Sequence, residues 1–254
     1  MDRLHARASS VSASSPSACA GLFGSGLVCD GEGEPLGPGG CAVTEELVNG
    51  AGFAAGDRVA DIGCGQGRSV AFMAARGISA FGIDADPGPL RVARDRVPGV
   101  LVQARGNALP FCDGALDGVL SECVLSVMPD QAATLAEWAR VLRPGGRLAL
   151  ADVYARNPAP DATACARAGG IRSATQLQSL VAAAGLVVTR FEDRSDRLRD
   201  WVGRFIFQYG SLEALWGDAA TVRAMRAVAP GYCVAIAVRP ARPAPTATQA
   251  PAAI

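Results

Sequence analysis

The stretch VADIGCGQGRS, Val59 to Ser69, decides the fold. Val59 to Ile62 is an apolar run of strand type, and a helical pattern begins just after Gly67. Between them stand Gly63, Gly65 and Gly67. Glycines at a strand-to-helix turn let the backbone approach a ligand closely and present amides at a helix N-terminus. The spacing is not the Gly-x-Gly-x-x-Gly of dinucleotide binders. Taken alone, the loop fits a nicotinamide cofactor, another nucleotide or a plain tight turn. Two acids narrow this. Asp61 precedes the loop, and Asp84 closes the next strand pattern in FGIDAD. A carboxylate about 20 residues beyond such a loop is placed to accept two hydrogen bonds from a ribose diol. The competing role for Asp84 is to cap the following helix.

Outward from this stretch the chain alternates. Apolar or β-branched runs occur at DRVADI, ISAFGID, GVLVQA, LDGVLS, GRLALADV, LVVTRFED and YCVAIAV. Helical patterns at GRSVAFMAARG, PGPLRVARDRV, QAATLAEWARVL and SATQLQSLVAAAG separate them. The alternation predicts an α/β fold with a largely parallel sheet covered by helices. The last strand follows a helix-rich insert over residues 195–229. There Leu198, Trp201, Val202, Phe205, Ile206, Tyr209, Leu212 and Trp216 recur at helical spacing. This reads as a helix packed on the sheet, with a substrate-pocket wall or lid as the functional alternative. Residues 1–40 are rich in Ser, Gly, Ala and Pro, and 240–254 form a Pro/Ala tail, so both read as disordered around a domain at 41–239.

Composition removes several function classes. The 24 basic residues are all Arg and are matched by 24 acids, so there is no electrostatic footprint for nucleic acid or an anionic membrane. The eight Cys, at 19, 29, 41, 64, 112, 123, 165 and 233, form no Cys-x-x-Cys pair, and the one His is His5. A zinc site of finger or ribbon type is therefore not expected, and no metal is assigned. The N-terminus has no apolar h-region, and no apolar run reaches the ~18 residues of a membrane span. Scattered thiols without a secretion signal predict a cytoplasmic protein with reduced Cys.

DIGCGQG, GIDAD, LPFCDGALDGVL and EWARVLRPGGRLALAD, in this order and spacing, resemble class I S-adenosylmethionine-dependent methyltransferases. The resemblance is greatest to the ubiquinone/menaquinone-type and arsenite methyltransferases (methyltransferase type 11). It is strong over about residues 40–155 and looser over 173–239. It implies a Rossmann-like seven-stranded sheet, mostly parallel with an antiparallel last strand and helices on both faces. It also implies S-adenosylmethionine as co-substrate. Gly63, Cys64, Gly65 and Gly67 would wrap its methionine part, with Asp61 near the amino group. Asp84 would hold the ribose hydroxyls and Ala85 would lie against adenine. Asn107, followed by Ala108 in ARGNALPF, stands where the family often has an acid that reads the adenine amino group. An Asn oxygen can still accept that hydrogen bond. Arg143 to Gly146, RPGG, would be a scaffold turn into the fifth strand, and Cys64 a small residue fitted to its loop.

Methyl transfer from a sulfonium asks the protein mainly to hold the acceptor in line and exclude water. With His5 in the leader, any base must be a carboxylate, a thiolate, a Tyr or water. No motif of the kind that grips a flipped amino base is present, which argues against nucleic-acid methylation. In open α/β sheets ligands sit beyond the carboxyl ends of the strands. The fourth strand, LDGVLS, is expected to end at Ser121, so Glu122 and Cys123 of SECVLS fall at the mouth of the site as the catalytic candidates. Glu122 suits facing the cofactor, positioning the acceptor or taking a proton. A first-turn helix acid is its plain alternative. Cys123 suits a soft acceptor or is a buried small residue. The leading expectation is methyl transfer to a small molecule, with no nucleic-acid or membrane partner. One alternative is a metalloid or thiol acceptor held by Cys123 with Cys165 and Cys233. The other is a non-catalytic cofactor-binding regulator. Oligomeric state is not legible.

Overall fold

The structure is a computed structural model and describes residues 37–95, 97–157, 170–216 and 218–241. Seven strands form one sheet: β1 (Arg58–Ile62), β2 (Ser79–Asp84), β3 (Val100–Gln103), β4 (Leu116–Glu122), β5 (Leu142–Ala155), β6 (Val187–Asp193) and β7 (Pro230–Val238). Their order is β3-β2-β1-β4-β5-β7-β6. β1 through β5 pair in parallel, and β7 runs antiparallel to both β5 and β6. β1 and β4 are buried on nearly every residue, as expected of central strands covered on both faces.

Helices α1 (Cys41–Ala51), α2 (Arg68–Ala74), α3 (Pro87–Arg94), α4 (Gln131–Val141), α5 (Ala174–Ala183), α6 (Ser195–Tyr209), α7 (Leu212–Trp216) and α8 (Ala219–Val228) surround the sheet. Among the described residues none is long and apolar enough to cross a membrane. One face is covered by Val43 and Leu47 of α1, Val70 and Met73 of α2, Trp201 and Phe205 of α6, and Met225 of α8. The other is covered by Leu135 and Trp138 of α4 and Leu177 and Val181 of α5. Local chemistry agrees with these limits. Asp130 caps α4 by accepting from the Ala133 amide, Ser173 and Gln176 form a capping box on α5, and Asp218 caps α8.

Three features differ from the sequence reading. α1 was not among the expected helices, although Val43, Leu47, Val48 and Ala51 share its buried face and Gly52 ends it in the left-handed region. Arg143 to Gly146 do not precede β5. They lie within it as a bulge, where the partner of β4 jumps from Leu142 to Arg147. β4 continues one residue past Ser121, and Glu122 pairs with Ala151. The leader through residue 36, with Cys19, Cys29 and His5, the loop that carries Cys165, and the tail from residue 242 lie outside the described residues.

Two side-chain systems fix the elements that border the strand ends. Glu46 of α1 accepts from Arg190, Arg194 and Arg197, at 2.9, 2.6 and 2.7 Å, and so ties α1 to β6 and α6. Burial works against its charge, but the Arg194 hydrogen bond and the three guanidiniums hold its carboxyl below the usual value. On the opposite face, the Trp138 indole donates to the Gly106 carbonyl at 2.8 Å, and the Leu109 amide donates to Glu137 at 2.6 Å. These bonds hold the loop after β3 against α4.

Gly118 of β4 faces the Phe53 ring so closely that an added Cβ would overlap it. Gly118→Ala is therefore expected to lower stability by about 1–3 kcal/mol. Chemical denaturation checks this, and the loss should shrink in a Phe53→Leu background, because the two sites share one contact.

Candidate functional site

The chain reverses from β1 into α2 through a loop held by its neighbour β2. The amides of Gly63 and Cys64 both donate to the Ile83 carbonyl, at 2.7 and 3.1 Å. The Gly65 amide donates to the Asp84 carboxylate at 2.8 Å. Gly63 and Gly65 have φ of 73° and 53°, a region that side chains disfavour. A Cβ on Gly63 would also strike Val124, whereas one on Gly65 would meet nothing within 4 Å. Gly65 is thus where the loop backbone faces open space. Gly67 closes the turn by donating to the Cys64 carbonyl at 2.8 Å.

Asp84 has one oxygen on Gly65 and the other on the Asp86 amide, at 2.9 Å. It does not cap α3; Asp86 does, accepting from Gly88 at 2.7 Å. Each Asp84 oxygen therefore keeps acceptor capacity for a further donor. Ala85 is exposed beside it, its carbonyl accepting from Gln103 at 3.3 Å. The Ala104 amide donates to the Asp84 carbonyl, which brings the start of the next loop alongside. Farther along it, Asn107 and Ala108 are exposed in a tight turn closed by the Ala108 amide on the Arg105 carbonyl.

Asp61 and Glu122 share one face of the sheet. Asp61 is paired in parallel with Leu120, so Glu122, two residues on, points the same way. Asp61 is buried, and its Oδ2 has no hydrogen-bond partner among the described residues. Burial pushes its carboxyl well above the usual range, and the charges of Glu122 and Asp84 add to this, while Arg68 opposes it. Glu122 is half-buried. Its Oε1 accepts from the hydroxyls of Thr44, at 2.7 Å, and Ser69, at 3.0 Å. Burial raises its carboxyl too, against those two hydrogen bonds and Arg68. Thr44 and Ser69 had no place in the sequence reading. They come from α1 and the first turn of α2, and no local pattern marks hydroxyls that meet only across the fold.

Cys123 and Cys233 do not converge. Cys123 has a φ of 60°, and its buried sulfur lies 3.4 Å from the hydroxyl of Tyr232 on β7. The next residue, Cys233, packs into the core on the opposite face of the sheet, so Cys123 and Cys233 cannot grip one acceptor. Burial pushes the Cys233 thiol up to about 12 and raises that of Cys64, the reverse of what a soft-metalloid ligand needs. The expected pairing of Cys123 with Cys233 is corrected accordingly; Cys165 lies outside the described residues. Strand alternation, not spacing along the chain, separates the two described thiols.

The sequence reading also missed Asp152. It is buried in β5, with Oδ2 accepting from the Ser126 amide at 2.9 Å and Oδ1 from the Val153 amide at 2.7 Å. The Cys123 amide meanwhile donates to the Ala151 carbonyl at 2.8 Å. Together these bonds fix the turn that follows Glu122. DVYARN contained the signal: an acid inside an otherwise apolar strand needs buried donors.

Residues 60–150 match the family model described as a methyltransferase domain, Methyltransf_11. The methyltransferase GfsG of Streptomyces halstedii is 33% identical over 182 residues, covering 65% of this chain and 66% of that one. The O-methyltransferase cnsE of Penicillium expansum is 35% identical over 161 residues, with 58% of each chain covered. The chain thus spans between about half and two thirds of these relatives' length. Among solved structures, the [4+2]-cyclase SpnF superposes with a TM-score of 0.71 at 23% identity, over 89% of this chain and 98% of that one. Geranyl diphosphate methyltransferase, solved with S-adenosylmethionine, gives 0.65 at 19% identity over 79% and 85%. At these identities the structures show a shared fold.

Asp152 gives the site a pH-dependent anchor. Burial raises its carboxyl to about 6, against the opposing amide hydrogen bonds. A free Asp titrates near 3.9. Between the two values the folded chain keeps a proton that the unfolded chain has lost, so this group's contribution to stability falls as pH rises from about 4 to about 6. Unfolding free energies measured across that window should show the wild type losing about 2–3 kcal/mol relative to Asp152→Asn, with no further change above it.

Proposed function

We propose that the chain, whose residues 60–150 match the methyltransferase domain family model, transfers a methyl group from S-adenosylmethionine to a hydroxyl of a small molecule. The observation that carries this reading is the grip of β2 on the glycine loop. Ile83 and Asp84 hold three successive amides and leave Gly65 facing open space. The residues present fit the donor. Asp84 retains acceptor capacity for a ribose diol, the bare Oδ2 of Asp61 awaits a hydrogen-bond donor such as an ammonium group, and Asn107 offers an amide to adenine.

When bound, S-adenosylmethionine supplies a methyl on a sulfonium, so that an acceptor oxygen forms the new C–O bond as the C–S bond breaks and its electron pair returns to sulfur. The chain's own work is to bind, orient and exclude water. Gly63, Cys64, Gly65 and Gly67 shape the methionine cradle, with Cys64 filling space beside Gly82. Ala85 borders the adenine side, and Ala108 closes the turn carrying Asn107. Glu122 is the carboxylate facing the donor. Cys123 acts through its backbone, turning the chain sharply after β4, with its sulfur packed against Tyr232. An acceptor hydroxyl gives its proton to water or to a carboxylate of the cleft. The relatives named as O-methyltransferases favour oxygen as the acceptor atom.

Titration calorimetry with S-adenosylmethionine and its demethylated product tests the reading. Both should bind, and Asp84→Ala should weaken the donor about 10–100-fold, the loss of hydrogen bonds to a charged acceptor. Transfer of a labelled methyl to a panel of hydroxylated small molecules then tests the acceptor class. Binding of neither ligand overturns the proposal.

A further inference from the structure

We infer that a small cavity on the α4 and α5 side of the sheet is a hydration site, in which one water bridges the Ser126 hydroxyl and the Asp152 carboxylate beneath Arg172. The site lies apart from the proposed donor cleft. Asp152 shares its face of β5 with Leu150 and Tyr154, which pack in the core under α4 and α5. Glu122 points to the other face, where Thr44 of α1 and Ser69 of α2 hold it. Leu125 and Leu177 form the apolar wall of the cavity, and Ser126, Gln131, Asp152 and Arg172 bring polar groups to it.

Size, hydrogen bonding and charge agree on the occupant. The cavity leaves about 10 Å³ for the centre of a water molecule, room for one and no more. Ser126 is 5% exposed, and its Oγ has no hydrogen-bond partner among the described residues, although buried hydroxyls are nearly always paired. Burial raises the Asp152 carboxyl, and the Ser126 hydroxyl is near enough to counter part of that rise. It is nevertheless outside direct bonding geometry, which is the gap a bridging water spans. Each Asp152 oxygen accepts one amide and keeps capacity for a second donor. The cover is fixed: Arg172 donates to Gln131 of α4 at 3.3 Å, and its carbonyl accepts from the Ala155 amide at 2.8 Å. Asp152 disfavours an anion here, Arg172 disfavours a cation, and an apolar guest would leave the polar groups unpaired. The other titratable neighbours of Asp152 are Cys233, whose thiol donates to its carbonyl at 3.5 Å, and Tyr232 on the far face. Burial raises both, so neither brings a charge. The water adds a link between β5 and the turn after Glu122, beside the bonds made by the Ser126 and Cys123 amides.

Two measurements on the full chain test this. A high-resolution crystal structure of the wild type should show a water peak within hydrogen-bonding distance of both Ser126 Oγ and Asp152. Carbon NMR of the Asp152 carboxyl, followed against pH, gives a second readout, with a wild-type midpoint of about 6. Ser126→Ala removes the hydroxyl and leaves room for the water, whereas Ser126→Val removes the hydroxyl and fills the room. Expelling the water dehydrates the carboxylate further, so Ser126→Val should raise the midpoint by about one pH unit more than Ser126→Ala. A direct bond between Ser126 and Asp152 would instead be lost equally in both variants. Equal midpoints in the two variants overturn the site, as does a crystal structure with Ser126 Oγ bonded to Asp152 and no water between them. If Ser126→Val fails to fold, the wild-type crystal structure decides alone. Neither measurement uses the methyl donor, so the outcome is independent of the proposed function.

Discussion

Three consecutive amides, those of Gly63, Cys64 and Gly65, are held by two acceptors at the end of one neighbouring strand, the Ile83 carbonyl and the Asp84 carboxylate. This is the constraint on which the site depends. It forces the chain to turn within a few residues of β1, aims the first turn of α2 at the cleft, and puts Ser69 within reach of Glu122. A side chain at Gly63 is barred by backbone geometry and by Val124 together. The loop is thus pre-shaped by covalent neighbours and by β2, and a ligand meets a surface already formed, which spares it the ordering cost of a flexible loop.

The second constraint is electrostatic. Asp61, Glu122 and Asp152 all lie in the carboxyl-terminal parts of their strands, where dehydration raises their carboxyls, yet they are satisfied differently. Asp152 spends its oxygens on the amides of Ser126 and Val153 and so acts as scaffold. Glu122 has two hydroxyls on one oxygen, and Asp61 has an oxygen with no donor among the described residues. Unfilled hydrogen-bonding capacity thus increases toward the glycine loop. The Glu46 cluster supports this gradient from outside, since it docks the helix that delivers Thr44.

Much of the frame was legible in order along the chain. Each of the seven apolar runs became a strand, and the central ones, β1 and β4, are apolar nearly throughout because both their faces are buried. The glycine loop and Asp84 were legible because the turn glycines and the acid that holds them sit at the ends of two adjacent, clearly patterned strands. Asp84 also illustrates the limit of such reading: its two candidate roles were separated only when Asp86 proved to be the cap. α1 was missed because a Gly-, Ala- and Pro-rich leader obscures its beginning and its apolar face is narrow.

The sequence by itself determined the fold class, the position of the glycine loop, the acids that flank it and the placing of Glu122 at a strand end, since all of these follow from short-range periodicity and turn preference. Only the tertiary structure decided which side chains meet. Thr44 and Glu122 are 78 residues apart in sequence, and Asp152 reaches back to Ser126. Cys123 and Cys233 fall on opposite faces because residues 232 and 233 alternate across β7, with Tyr232 toward Cys123 and Cys233 away from it. Contacts of that kind depend on strand register and sheet order, which are set by the packing of the whole core.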